Sequence, residues 1–401
     1  MSWAGPHTET IGKTKQPARV AERPLDPARP LLLCLAHLRW SFVYQRPQHE
    51  MVRFAEHYNV LYCEEPLDAT DGRSHLEVRV EENGVRVLVP HLPRCLSAEA
   101  RACAQQELLQ TYLQELRQPV AVAWYFTPMA LDYAGEIPAQ TLVYDCMDEL
   151  SAFRGAPPAL LQRERELLQR ADLVFTGGYS LYEAKRDRHP RVFPFPSSVD
   201  VAHFGQARAA LPEPADQAGL ARPRLGFYGV IDERLDLDLL AAVARLRPQW
   251  QWLILGPVVK IDPASLPQLP NLHYLGGKTY DELPAYLAGW DVALMPFALN
   301  EATRFISPTK TPEYLAGGCP VVSTPITDVV RTYGDSGVVW IAEGAEAFVA
   351  ACEAALASQD QREAFLARAD ALLTGMSWDS TCDLMREKIQ WRERRLSVST
   401  I

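Results

Sequence analysis

Lys310 and Glu313 stand three residues apart in the stretch of this chain richest in chemistry, Phe297–Thr324, FALNEATRFISPTKTPEYLAGGCPVVST. The stretch reads as a loop, a short helix, a Gly-Gly stop and a buried strand. Ser307 is a good N-cap, Pro308 suits the first helical position, and Gly317–Gly318 end the helix, which predicts about nine helical residues. A helix start offers free N–H groups and a partial positive charge, a ready site for phosphate. Lys310 in that first turn opposes the helix dipole, typically at ~0.3–1 kcal/mol. Only seven of the 40 basic residues are lysines, so its presence is not compositional noise. A bound diphosphate would reverse the sign, because the ammonium and the amides would then share one anion. Glu313 lies on the same helix face, and a carboxylate fits the paired hydroxyls of a ribose. The alternative is a solvated Lys–Glu pair on a surface helix.

These groups need a scaffold, and the chain supplies one of α/β class. Its 401 residues suit two domains, and 48% hydrophobic with 22% charged residues suits a folded enzyme. A net charge of −10 argues against a nucleic-acid partner. Eight cysteines without a C-x-x-C read as buried free thiols of a reducing compartment. No apolar run reaches bilayer-spanning length, and no secretory signal is visible at the N-terminus. Residues 1–29 are polar and Pro-rich and read as a disordered extension. Short apolar runs then alternate with helical stretches, the mark of parallel sheets crossed over by helices. Strands are expected at 31–36, 59–63, 76–80, 85–89, 120–126, 141–144, 173–176 and 192–196, with a hairpin turn at Asn83-Gly84. Residues 205–223 have neither period and read as a linker. Six more strands are expected at 225–230, 252–255, 272–274, 292–295, 321–323 and 338–341. Two Rossmann-like units, 30–204 and 224–375, would thus face each other across a cleft, where ligands of such sheets bind.

The donor segment resembles that of GT-B glycosyltransferases of the family 4-like group, including the teichuronic-acid type of bacterial polysaccharide assembly. The resemblance rests on P-x-K-x-x-E-Y-L-A-x-G-x-P-V-V at Pro308–Val322. Arg46-Pro47-Gln48-His49, Tyr144–Glu149 (YDCMDE), Phe227–Asp232 (FYGVID) and Ser377-Trp378 resemble further family segments. The resemblance implies a GT-B fold, a nucleotide-diphosphate sugar as donor, and a closing helix at 376–401 crossing back to the first domain. Many retaining members carry a second glutamate eight positions before the ribose-binding one. Here that position is Phe305, with Arg304 or Glu301 as substitutes, so the anomeric outcome stays open.

On the donor side, Gly229 lets backbone approach a ligand, Asp232 follows it, and Arg234 offers a second cation for the diphosphate. Arg304, Ser307 and Thr309 complete the donor-side set with Lys310 and Glu313. In the first domain His37, Arg39, Trp40, Arg46 and His49 are expected to face the acceptor, with His49 equally readable as a helix-face histidine. An inverting reaction needs a base for the acceptor hydroxyl, with Asp148 the first choice and Asp145 the second. No D-x-D pair demands a metal, so no metal and no cofactor are expected. The expected partners are a nucleotide sugar and a hydroxyl acceptor (a glycan, a lipid-linked saccharide or a small molecule), without nucleic acid. A cytoplasmic location is expected, with peripheral contact at the inner membrane face as a variant. The competing readings are a nucleotide-sugar epimerase of the same fold and a non-catalytic nucleotide-sugar binder.

Overall fold

The computed structural model describes residues 24–399, with side chains to residue 394. Two parallel sheets organise it. The first contains β1 (Leu31–Leu35), β2 (Asn59–Cys63), β3 (Leu67–Asp68), β4 (His75–Val80), β5 (Arg86–Leu92), β6 (Val120–Tyr125), β7 (Ala139–Cys146), β8 (Leu173–Thr176) and β9 (Val192–Pro194). Its order is β3-β5-β2-β1-β6-β7-β8-β9, with β4 antiparallel on β5 through the Asn83-Gly84 turn. The run at β1 is continuously apolar because both faces of its sheet are covered. Leu31, Leu33 and Leu35 join one core, while Leu32, Cys34 and Ala36 join the core on the opposite face.

The second sheet contains β10 (Arg224–Tyr228), β11 (Gln251–Leu255), β12 (Leu272–Gly276), β13 (Val292–Met295), β14 (Val321–Ser323) and β15 (Val339–Ile341). All its pairings are parallel, in the order β12-β11-β10-β13-β14-β15. Strand order reverses between β10 and β13, and in such sheets the crevice beyond that point holds the ligand. The first sheet has its own reversal between β1 and β6.

The linker carries a turn at Gln206–Arg208 and the helix Ala215–Ala218, and it packs on the second domain. Gln217 is fully buried and accepts from the Trp290 indole at 2.9 Å, while the Arg208 guanidinium donates to the Ala316 carbonyl at 2.7 Å. Ala/Pro composition concealed these anchors because each is a single polar side chain. Most of the expected N-terminal extension lies outside the described residues. Its end is pinned, with the Asn59 amide donating to the carbonyls of Asp26 and Arg29 at 2.7 and 2.9 Å. The donor helix runs over Lys310–Ala316, seven residues with Thr309 as N-cap, not from Pro308. Ser307 does not cap it. The Ser307 carbonyl instead accepts from the Ser197 hydroxyl of the first domain.

The closing helix, Trp378–Ser399, does cross back. Cys382, Met385 and Ile389 enter the first domain's core, and Trp378 is fully buried.

Candidate active site in the cleft

Lys310 opens the donor helix beside the ends of β10 and β11. The room for it comes from two glycines in the left-handed region, Gly229 (φ +146°) and Gly256 (φ +144°). A Cβ on Gly229 would stand 2.3 Å from Lys310 Cε, and one on Gly256 would overlap the Gly229 carbonyl. The ammonium lies 5.8 Å from the Phe227 ring centroid. Burial lowers the Lys310 pKa, with Glu313 opposing that shift. Such a cation gains from an anion that restores its charge.

Glu313 is 5% exposed, and its Oε2 accepts from the Tyr228 hydroxyl at 2.8 Å. Burial raises its pKa, while Lys310, Tyr228 and Thr309 hold the charged form. Tyr314, next along the helix, accepts from the Tyr228 backbone N–H at 3.1 Å. Two tyrosines therefore lock the donor helix to β10 and fix the carboxylate against it. The sequence analysis quoted Tyr228 within the FYGVID segment but gave it no role.

Arg234 and Asp232 form a bidentate pair with contacts of 2.7, 2.9 and 3.1 Å. Asp232 is 5% exposed and acts as holder of the guanidinium rather than as a ligand. Arg234 also lies 5.4 Å from the ring centroid of Phe153, a residue of the first domain that no sequence pattern tied to this site. The two remaining donor-side candidates contribute less. Arg304 is exposed, pairs with Glu301 at 3.7 Å and lies against Phe305, and Ser307 is engaged through its carbonyl.

Across the cleft, Asp148 follows β7 and is half-buried. Burial pushes its carboxyl up to about 6, against the pull of Arg234, Arg46 and Lys310. Among the described residues no hydrogen bond or ion pair engages that carboxylate. A group ionised at neutral pH yet basic enough to take a proton is what a general base requires.

Asp145, the second choice, is excluded as a base. It is fully buried and held by Arg46 through contacts of 2.9, 3.2 and 3.3 Å. Arg46, 3% exposed, also pairs with Glu50 at 2.9 Å and donates to the Phe195 carbonyl at 2.7 Å. Arg46 therefore does not face an acceptor; it ties the helix Arg46–Phe54 to the end of β7. His49 is also interior, 2% exposed and stacked on Trp378 at 4.8 Å, with burial driving its pKa down. Glu149 is engaged by Lys185 at 2.6 Å, which equally holds Glu164 at 2.6 Å.

The other first-domain candidates divide. Arg39 donates to Glu64 at 2.8 Å and to the Glu65 carbonyl at 3.0 Å, and Trp40 lies edge-on to Tyr62 at 5.0 Å. Both are framework. His37 lines a cavity, and burial, with Lys260 adding to it, lowers its pKa to about 4. Among the described residues no cluster of three or more His, Cys, Asp or Glu is placed to hold a metal. No described helix is long and apolar enough to cross a membrane.

Residues 222–358 match the family described as "Glycosyl transferases group 1". Solved structures share the whole architecture. Sucrose-phosphate synthase from Thermosynechococcus elongatus is 16% identical, with a TM-score of 0.69 over 92% of this chain and 100% of that one. Anabaena HepE in complex with UDP and glucose is 15% identical, with a TM-score of 0.66 over 90% and 100%. The chain thus has the GT-B fold, and its second domain is similar to the glycosyl transferases group 1 family. In sequence it is similar to the putative teichuronic acid biosynthesis glycosyltransferase TuaH of Bacillus subtilis, 27% identical over 233 residues. That match spans 54% of this chain and 58% of the relative, little more than half of each.

Proposed function

We propose that this protein transfers a sugar from a nucleotide diphosphate to an acceptor hydroxyl. The observation that carries the reading is the opposition of Asp148 to Lys310 and Arg234 across the cleft, near enough for both cations to depress its pKa. The diphosphate lies against Lys310, Arg234 and the amides at the start of the donor helix, and Glu313 takes the ribose hydroxyls. As the bond from the anomeric carbon to phosphate breaks, its electron pair stays on the diphosphate, where the two cations meet the growing charge. The acceptor oxygen bonds to the anomeric carbon, and its proton passes to Asp148. Direct displacement of this kind inverts the anomeric centre.

Arg234 and Lys310 supply the positive charge that a metal would otherwise bring, so no divalent ion takes part. Uridine is the proposed nucleoside, in keeping with the UDP bound to the Anabaena relative. The acceptor belongs to polysaccharide assembly, in keeping with the likeness to TuaH. Eight cysteines, all free, suit action in the cytoplasm.

The test pairs turnover with binding over a panel of nucleotide sugars read by mass spectrometry. Asp148→Asn abolishes transfer while leaving nucleotide affinity intact, and Glu313→Ala weakens nucleotide binding. Without acceptor, a changed sugar still attached to its nucleotide would mark an epimerase instead. Donor that binds but is never consumed would mark a non-catalytic binder.

A further inference from the structure

The Asp148 carboxylate has no hydrogen-bond partner among the described residues, so its place in the cleft depends on how its segment is held. Part of the hold is local. The Asp148 carbonyl accepts from the Leu150 N–H at 3.1 Å and from the Cys146 thiol at 3.5 Å. Another part comes from outside the segment. The Glu149 carboxylate, next to Asp148, accepts from the Lys185 ammonium at 2.6 Å.

Lys185 ends the helix Tyr179–Lys185 and is 2% exposed. Its ammonium also donates to Glu164 at 2.6 Å, and Glu164 accepts in addition from Arg188 at 2.8 Å and from the Tyr144 hydroxyl at 3.1 Å. Glu164 therefore keeps a cation without Lys185, and Lys185 is left to answer Glu149. Burying an ammonium between two carboxylates brings little net stability, because desolvation offsets the attraction. What such a cluster secures is geometry, here one position for the residue beside Asp148.

The other end of the same helix is held by the second domain. Gly178, at its N-cap, has no side chain to offer, and Asp328 of the second domain accepts from the Ser180 N–H at 3.0 Å. Arg331 of the second domain pairs with Glu183 at 2.7 Å and lies 5.1 Å from the Tyr179 ring centroid. Two turns of helix, about 10 Å long, thus join a contact with the donor side to the anchor beside the base.

We infer that Lys185 and Glu149 are positioning residues for sugar transfer: the helix Tyr179–Lys185, seated at one end by Asp328 of the second domain, holds at its other end the segment that carries Asp148. The inference rests on the reading of Asp148 as the base. Without the anchor the segment relaxes toward water, and the carboxylate loses its aim and part of its burial. The charges that face Asp148, namely Arg234, Arg46, Asp232 and Lys310, stay in place. Glu149→Ala is the informative variant, because the buried Lys185 keeps Glu164 as its partner. Glu149→Gln removes the same charge but keeps an oxygen that accepts from Lys185, so the two variants separate charge from position.

Carbon-13 NMR of the full chain labelled at aspartate, with Asp148 assigned from the Asp148→Asn spectrum, tests this without substrate. In the parent the Asp148 carboxyl titrates at about 6. In Glu149→Ala it titrates at least about one unit lower, and in Glu149→Gln it stays within about 0.3 unit of the parent. Turnover divides the same way: Glu149→Ala lowers kcat about tenfold or more, Glu149→Gln less than about threefold, and UDP affinity in calorimetry stays within about twofold for both. Asp328→Ala lowers the Asp148 titration in the parent and has no further effect in the Glu149→Ala chain. An unshifted Glu149→Ala, a Gln variant that matches Ala, or an Asp328 effect that persists without the Glu149 carboxylate overturns the inference. Asp148→Asn that still transfers sugar would refute the base reading, and with it the catalytic part of the inference. An inactive Asp148→Asn beside an unshifted, fully active Glu149→Ala would refute the inference and leave the base reading standing.

Discussion

Asp148→Asn is expected to make the protein less active and more stable at once. Burial moves this carboxyl from 3.8 to about 6. That difference of about 2 units corresponds to about 3 kcal/mol, at about 1.4 kcal/mol per unit. The sign follows from proton counting. Between about 4 and about 6 the folded chain keeps a proton that the unfolded chain has lost, so stability falls as pH rises through that window. At pH 7 the group is ionised in both states and the full cost is present. An amide carries no charge to desolvate, so Asn relieves part of it; because the site is half-buried, a gain of about 1–3 kcal/mol is expected. Urea unfolding of parent and variant at pH 7 and at pH 4 measures it, and the gain shrinks at the lower pH. In the parent, kcat/KM falls about tenfold per unit below pH about 6, as the base takes up its proton. Arg234→Gln moves that limb upward, since Arg234 is the charge that most depresses the Asp148 pKa. A variant no more stable than the parent at pH 7, or an acidic limb near pH 4, would refute the reasoning.

Four further outcomes are expected. Arg46→Met takes the guanidinium from between two fully buried carboxylates, Asp145 and Glu50, and leaves buried negative charge uncompensated, costing about 3–5 kcal/mol in thermal or denaturant unfolding. Gly229→Ala drives a Cβ to 2.3 Å from Lys310 Cε at a φ of +146°, so nucleotide-diphosphate affinity should fall by about tenfold or more in calorimetry while the fold survives. Dialysis against a chelator should leave turnover unchanged, because Lys310 and Arg234 carry the leaving-group charge; loss of activity restored by magnesium would overturn that assignment. Gly178→Ala should lower kcat with little change in nucleotide affinity. A Cβ there would stand 2.2 Å from Asp328 Oδ2 and 2.8 Å from Ser307 Cβ, pushing the second domain off the first where the Ser180 N–H donates to Asp328 at 3.0 Å.

Strand positions were legible because continuous apolar runs leave few other structures open to them, as at Leu31–Leu35 and Val292–Met295. Lys310 and Glu313 stood out in the sequence because a cation at a helix start needs a reason. The start of that helix was misread, since Ser307 and Pro308 fit a cap locally while a hydroxyl of the other domain, Ser197, takes the Ser307 carbonyl. Asp145 and Asp148 show the same limit within one segment. Sequence offers two carboxylates past an apolar run and ranks Asp148 over Asp145 without the contact that separates them. What separates them is Arg46, 99 residues away, whose guanidinium fills the first carboxylate and leaves the second to the cleft. Even so, the pair works as a unit. Arg46 buries Asp145 and Glu50 around one cation and so fixes the end of β7, while its charge also helps hold Asp148 ionised. Phe153, beneath Arg234, adds a support from the opposite domain. Glu313, held by Tyr228, and Asp145, held by Arg46, are thus set by partners remote in sequence, and Arg234, held by its near neighbour Asp232, meets Phe153 only when both sheets are formed and facing.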